Sequence, residues 1–337
     1  SDVCSSDLVI LHLMMRSRKD SLVEKMKYAL HRVKGAYSLL IMDENCIAGV
    51  RDPLGFRPLC IGKLGESYCI SSESCALDLV GAEFVREIEP GEIVIIDKAG
   101  LHSYRFAESK HHSFCVFEFV YFSRPDSYIF GENVHLVREK MGRQLAKEYP
   151  AKADIVIGVP DSGTSAALGF AKESKIPLEI GMIRNHYIGR TFIQPYQERR
   201  ELGVKLKFNL IRKIIDGKRI VIVDDSIVRG TTSRIRVKTF RDAGAKEIHL
   251  RISCPPHRFG CYYGIDFPAK DSLIAHGKTL QDIKKYLGVD SLGYLSINGM
   301  LKCLPGRKMD YCVACWKGNY PIRCKELNKL ALEKATV

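Results

Sequence analysis

The thirteen residues from Val221 to Ser233, Val-Ile-Val-Asp-Asp-Ser-Ile-Val-Arg-Gly-Thr-Thr-Ser, constrain this chain more than any other stretch. Val221, Ile222 and Val223 are β-branched and read as the end of a buried strand. The next residues are mostly small, polar or acidic until a helical pattern begins at Ile235, so the segment predicts a strand, a loop and a helix start. Asp224 and Asp225 then lie at the strand end. Ser226, Arg229, Gly230, Thr231, Thr232 and Ser233 supply the N–H groups, hydroxyls and helix N-terminus that cradle a phosphate. A strand-to-helix turn with a Ser/Thr cap explains the Asp pair alone about as well. The thirteen residues together are more specific, because one such loop holds a sugar diol and a phosphate at once.

The rest of the chain supplies the sheet that this loop needs. Of 337 residues, 46% are hydrophobic and 27% charged, which predicts about two soluble domains. No apolar run reaches the roughly 18 residues that span a bilayer, and the opening residues lack the basic and apolar regions of a signal peptide, so a cytoplasmic enzyme is expected. Residues 21 to 34 carry a helical stripe. From Gly35 to Asp97 short apolar runs at 37–42, 47–50, 59–61, 68–70 and 93–96 alternate with turn residues and predict an antiparallel sheet, with a helix near 74–80. The segment 101–113 is polar and His-rich, and the domain boundary is placed there, between 1–112 and 113–337. Beyond it the order is helix 132–149, strand 154–159, helix 164–174, strand 178–183, strand 219–223, helix 234–243 and strand 247–252, a doubly wound α/β fold on a parallel sheet with flanking helices. Ligands of such sheets lie at the carboxyl ends of strands, where Pro160–Ser165 and Asp224–Thr232 both fall.

Val159-Pro-Asp-Ser-Gly-Thr-Ser165 is a second strand-to-helix loop aimed at the same crevice, and Asp161 and Ser162 are its polar members. Magnesium takes oxygen ligands and keeps substrate phosphates in its shell, so Ser162, Asp224 and Asp225 are candidate partners for Mg2+. Positive charge peaks between Arg184 and Lys213, with eight Lys/Arg against Glu198 and Glu201. The net charge of +13 is otherwise spread over mixed-sign segments with no nucleic-acid module, so pyrophosphate is the economical partner. Gly189–Lys207 reads as a closing lid in which Arg190 and Lys207 neutralise leaving pyrophosphate, against the plainer reading of a solvated loop.

Twelve cysteines without a secretory signal argue against a disulfide framework. Cys312 and Cys315 have metal-ligand spacing, which fits zinc, a redox pair or chance. Cys115 and Cys261 open two other distinctive segments. Four thiolates suit an iron–sulfur cluster or zinc alike; the remaining cysteines read as small core residues.

The 221–233 loop resembles the phosphoribosyl pyrophosphate fingerprint of type I phosphoribosyltransferases, in which the acidic pair contacts ribose hydroxyls and metal and the loop binds the 5′-phosphate. With it, Arg51-Asp-Pro-Leu-Gly-Phe-Arg-Pro58, Phe117-Glu-Phe-Val-Tyr-Phe-Ser-Arg-Pro-Asp126, Gly189-Arg-Thr-Phe-Ile-Gln-Pro195 and Cys261-Tyr-Tyr-Gly-Ile-Asp266 make the chain from about Val9 onward resemble the amidophosphoribosyltransferase family. The resemblance implies a C-terminal type I phosphoribosyltransferase domain preceded by the second half of an α+β N-terminal nucleophile domain, a class II glutaminase. It implies catalytic roles for Arg190, Lys207, Asp224 and Asp225, Mg2+ near Ser162, Asp224 and Asp225, and a [4Fe–4S] cluster on Cys115, Cys261, Cys312 and Cys315. The glutaminase nucleophile has no counterpart here. Ser6 and Leu8 stand where a glutamine-binding Asp and a Glu are expected, Cys4 is not expected to act, and residues 1–7 read as foreign sequence.

The expected function is the first committed step of purine synthesis. Phosphoribosyl pyrophosphate, glutamine and water give 5-phosphoribosylamine, glutamate and pyrophosphate, or ammonia replaces glutamine and water, with ammonia alone used by this chain. Purine nucleotides are expected inhibitors, the family suggests a homotetramer, and neither nucleic acid nor membrane is an expected partner. The rival reading is a regulatory protein that keeps the loop to sense phosphoribosyl pyrophosphate or nucleotides. A second rival is a nonfunctional fragment, which cooperative unfolding would count against.

Overall fold

The structure, a computed structural model, describes residues 5–185, 208–267 and 270–322. In the first half, α1 (Ser5–Met15) packs beside α2 (Leu22–Leu30). Ser21 caps α2 by accepting the Glu24 N–H at 3.3 Å, and Met26, Ala29 and Leu30 form its buried stripe. The hairpin β1 (Ser38–Met42) and β2 (Ile47–Arg51) belongs to one antiparallel sheet. The second is built from β3 (Cys60–Leu64), β4 (Ser67–Ser71) and β5 (Glu83–Glu87), with α3 (Ser74–Val80) against it. The strands β6 (Glu92–Asp97) and β7 (Gly100–Arg105) complete the first sheet in the order β1-β2-β6-β7.

Side-chain alternation along β6 decides the layering. Ile93 and Ile95 turn toward Met26, Leu30 and Val50 under the helices, while Val94 turns toward Leu59, Ile61 and Ile88 of the second sheet. Gly49 lies at this sheet-to-sheet contact, where a Cβ would stand 2.8 Å from Ile70 Cδ1. Strand β7 occupies part of the polar segment where the domain boundary was expected. Its exposed polar residues belong to an edge strand rather than to a linker.

The second half opens with β8 (Phe114–Cys115), a π-helical turn at Glu118–Phe122, the short hairpin β9 (Tyr128–Ile129) and β10 (Glu132–Asn133), and α4 (Val134–Glu148). Next come β11 (Ile155–Gly158), α5 (Thr164–Ser174), β12 (Met182–Arg184), β13 (Phe208–Leu210), α6 (Arg212–Ile215), β14 (Arg219–Asp224), α7 (Thr231–Asp242) and β15 (Glu247–Ile252). The described part ends with α8 (Leu280–Leu287), β16 (Ser291–Tyr294), α9 (Ile297–Lys302), β17 (Tyr311–Cys312) and α10 (Ala314–Lys317).

The central sheet is parallel, in the order β11-β14-β15-β16. Ile220 to Val223 are fully buried, the signature of a strand covered on both faces. From β11 the chain passes through α5 to Leu178, which bridges Val156 on the outer side; from β14 it passes through α7 to β15 and through α8 to β16 in the opposite direction. Helix α5 packs on β11 and β14, α7 packs against α8, and the general right-handedness of such crossovers implies α5 on one face and α7 with α8 on the other. The order therefore reverses between β11 and β14, opening a crevice beyond their carboxyl ends.

Three local expectations change. The strand foreseen at 178–183 is a single bridge at Leu178 followed by β12, which pairs antiparallel with β13 as a separate ribbon. Leu178 and Ile180 are exposed there, and Gly181 is pressed against Ile157. Helix α7 begins at Thr231, three residues before the expected start at 234, because its first turn is built from hydroxyl residues. Strand β16 was not foreseen; Ser-Leu-Gly-Tyr is too short and mixed to stand out.

The two halves join at β8, which pairs in parallel with β17. Beside this ladder Phe56 stacks on Tyr263 with ring centroids 4.3 Å apart, and the Ser113 N–H donates to the Leu54 carbonyl at 2.7 Å. Among the described residues no helix is long and apolar enough to cross a membrane.

Candidate functional site

Two loops meet at the crevice. The loop after β11 lies flat on β14, its Val159 N–H donating to the Val223 carbonyl at 2.9 Å. Only glycine fits at position 163, where a Cβ would stand 2.5 Å from that carbonyl oxygen. The Pro160–Asp161 peptide is cis. Asp161 is exposed and ion-paired with Arg184 at 2.5 Å, whereas Ser162 turns inward and hydrogen-bonds the Asp225 carboxyl.

Asp224 ends β14, Asp225 follows it, and both are buried. The Asp225 carboxyl is pushed up to about 7, first by burial and then by the charge of Asp224, while the hydroxyls of Ser162 and Ser226 pull the other way. Asp224 is held differently. Its Oδ1 accepts the Asp225 N–H at 3.0 Å, and its Oδ2 pairs with Arg236 of α7.

The loop then climbs to Gly230, the residue before α7, at φ +81°, where a Cβ would lie 2.3 Å from Ile274 Cδ1. Both the backbone conformation and the space demand glycine. Thr231 and Thr232 are exposed, Ser233 is buried, and no acidic residue occupies the first turn of α7. Its positive end therefore faces the crevice beside exposed Arg229, as an anion site requires. The structure thus gathers Ser162, Asp224, Asp225, Ser226 and the 229–233 loop. Arg190 and Lys207, with all of the predicted lid, lie outside the described residues.

Two arginines that sequence reasoning passed over complete the surroundings. Arg236 binds Asp224. Arg138 of α4 is buried, donates to the carbonyls of Phe119 at 2.6 Å and Ser123 at 2.8 Å, and has its pKa lowered to about 10 by burial, with the charge of Asp225 opposing that shift. Neither belongs to a motif, and helical spacing alone marks Arg138 as one more amphipathic position.

The four singled-out cysteines converge at the junction. Cys115 and Cys312 face each other in the β8–β17 ladder, and Cys315 lies one turn beyond on α10. Cys261 joins them, its sulfur accepting the Tyr263 N–H at 3.2 Å. All are free thiols. Burial raises Cys115 and Cys315 well above the usual thiol range and pushes Cys312 up to about 11, with the neighbouring cysteines adding to each. The guanidinium of Arg57 opposes the shift at Cys115.

Among the described residues no three His, Cys, Asp or Glu converge closely enough to hold a metal ion. A zinc ion at about 2.3 Å from each sulfur requires four sulfurs roughly 3.8 Å apart. The four thiols share one neighbourhood at the junction, where Cys115, Cys312 and Cys261 all act on Cys315. Among the described residues the acidic pair brings two carboxylates together, which is compatible with magnesium that keeps water and substrate oxygens in its shell.

Comparison with known proteins agrees with this layout. The glutamine amidotransferase domain family matches residues 4–79. The chain is 49% identical over 323 residues to amidophosphoribosyltransferase of Bacillus subtilis, covering 94% of this chain and 68% of that protein. It is 51% identical to the Synechocystis enzyme of the same name, over 91% of this chain and 63% of that protein. The chain thus spans about two thirds of the length of these relatives. Two solved structures match with TM-scores of 0.89 at 46% identity. One, an allosteric regulatory enzyme of purine biosynthesis, is matched over 95% of this chain and 70% of its own. The other, glutamine phosphoribosylpyrophosphate amidotransferase from B. subtilis complexed with ADP and GMP, is matched over 98% and 73%.

Proposed function

Because the chain belongs to the amidophosphoribosyltransferase family, we propose that it transfers nitrogen to C1 of phosphoribosyl pyrophosphate, giving 5-phosphoribosylamine and pyrophosphate, the opening step of purine synthesis. The observation that carries this reading is the meeting of the Asp224–Asp225 pair, Ser162 and the open N-terminus of α7 at one reversal of sheet order. The 5′-phosphate lies on the N–H groups and hydroxyls of residues 229–233. The ribose diol faces the acidic pair, and the pyrophosphate extends toward Asp161 and Ser162. Binding both ends of the sugar holds C1 open to in-line attack, so most of the rate comes from positioning and from stabilising departing charge. Ser162, Asp224 and Asp225 would hold Mg2+, which when bound neutralises pyrophosphate oxygens. Arg190 and Lys207 are assigned to the same leaving group.

The nitrogen donor proposed for this chain is free ammonia. Residues 1–112 are assigned to the glutaminase-type domain and 113–337 to the transferase. Cys115, Cys261, Cys312 and Cys315 are proposed to hold a [4Fe–4S] cluster at the junction between them. Such a cluster would fasten β8, α10 and the Cys261 loop together, and the Tyr263 N–H and Arg57 are placed to favour thiolate sulfur. Purine nucleotides, which carry the same 5′-phosphate and ribose diol, are proposed to compete at the 229–233 loop, in a cytoplasmic homotetramer. The test is release of pyrophosphate from phosphoribosyl pyrophosphate that depends on both ammonia and magnesium.

A further inference from the structure

Asp224 is useful to a ribose only if its carboxylate points the right way and stays there. It ends a strand buried in the sheet, and its own side chain is only 7% exposed, so water does little to orient it. Two bonds fix it instead. The Asp225 N–H holds Oδ1, and Arg236 holds Oδ2. Arg236 stands within the second turn of α7, and its side chain is 10% exposed. Among the described residues its buried Nε has no partner, and its guanidinium lies 5.7 Å from the centre of the Phe208 ring at the start of β13. The stem lines a cavity of about 260 Å³ with Met182, Leu210 and Ile235, on the side of α7 that faces the β12–β13 ribbon.

We propose that Arg236 is a positioning residue for phosphoribosyl transfer: packed between α7 and β13, it fixes Asp224 in the orientation that receives the ribose hydroxyls. This rests on the phosphoribosyl site proposed above. The other buried cation nearby does not replace Arg236. Arg138 is committed to the carbonyls of Phe119 and Ser123, and its electrostatic partner is Asp225. Arg236 acts through Asp224, so its loss weakens recognition of the ribose more than it slows the chemical step. Because a single nitrogen of the guanidinium binds Asp224 among the described residues, the contact to Asp224 does not use the forked geometry of arginine, and lysine supplies the same point charge.

The test uses the full 337-residue chain with Mg2+ and phosphoribosyl pyrophosphate, measuring affinity by calorimetry and kcat and KM by ammonia-dependent pyrophosphate release. Arg236→Met is expected to weaken binding and raise KM by about tenfold or more, with a smaller change in kcat, the scale of one lost charge-assisted hydrogen bond. Arg236→Lys is expected to stay within about threefold of the parent. Should Arg236→Met fail to fold, the pair Asp224→Asn and Asp224→Asn/Arg236→Met, in which the last leaves neither charge buried alone, carries the test. Equal affinity of these two supports action through Asp224. A further loss in the double variant, or Arg236→Met binding like the parent, overturns the inference while leaving the phosphoribosyl site intact. No binding by the parent chain overturns both.

Discussion

Arg57 and Glu118 meet at 2.5 Å across the junction of the two halves. Glu118 is buried and also accepts the Ser123 hydroxyl at 2.8 Å, and the Arg57 guanidinium lies 5.0 Å from the centre of the Phe122 ring. Two motifs distant in sequence, Arg51–Pro58 and Phe117–Asp126, are therefore one contact, set beside Cys115.

Arg57→Met leaves the buried Glu118 carboxylate, among the described residues, with the Ser123 hydroxyl alone. Removing one partner of such a pair costs about 3 kcal/mol, so the variant is expected to unfold at clearly lower urea concentration than the parent. An unchanged midpoint would show that the pair contributes nothing to the junction.

The cluster proposed for the four thiols predicts iron rather than zinc. Anaerobic reconstitution with iron and sulfide is expected to load about four irons per chain, with broad visible absorption, and Cys115→Ser or Cys315→Ser is expected to lose them. One zinc per chain, held equally well by the Cys261→Ser variant, would contradict the assignment.

The Asp225 carboxyl predicts a pH-dependent contribution to stability. Its folded pKa of about 7 lies above the unfolded value of about 4, so between the two the folded chain keeps a proton that the unfolded chain releases. The contribution is complete below about pH 4 and is lost as the pH rises through about 7. Urea unfolding between about pH 5 and 8 is expected to show the parent losing stability relative to Asp225→Asn across that window. A constant difference would mean that Asp225 titrates as an ordinary aspartate.

Gly230→Ala is expected to disturb the phosphate loop more than the fold. The added methyl at φ +81° meets Ile274 and Tyr286, so the loop must shift at a cost of about 1–3 kcal/mol. Weakened binding of phosphoribosyl pyrophosphate with cooperative unfolding retained is the expected result; unchanged affinity would remove the loop from the site.

The sheet and its two loops were legible because their signals are local. Ile220–Val223 announces a strand buried on both faces, and Gly163 and Gly230 sit where no other residue fits. Helix α5 and strand β15 appear at their expected limits. What stayed hidden was decided by tertiary partners. Strand β16 is recognisable only beside β15, and the 178–183 run yields to a ribbon because β13 pairs with β12. Arg236 looks like an ordinary charged residue, and Arg57 like one more member of its motif, until folding sets each beside one carboxylate. The cysteine quartet lay between these cases, since the spacing of Cys312 and Cys315 suggested ligands while Cys115 and Cys261 needed the family resemblance.

The most direct test of the central claim is pyrophosphate release by the purified chain from phosphoribosyl pyrophosphate, with ammonia and Mg2+, compared with the Asp225→Asn and Gly230→Ala variants. Ammonia-dependent turnover that both substitutions reduce by about tenfold or more is the predicted result. A parent chain that binds phosphoribosyl pyrophosphate without releasing pyrophosphate, or turnover indifferent to both substitutions, would contradict it.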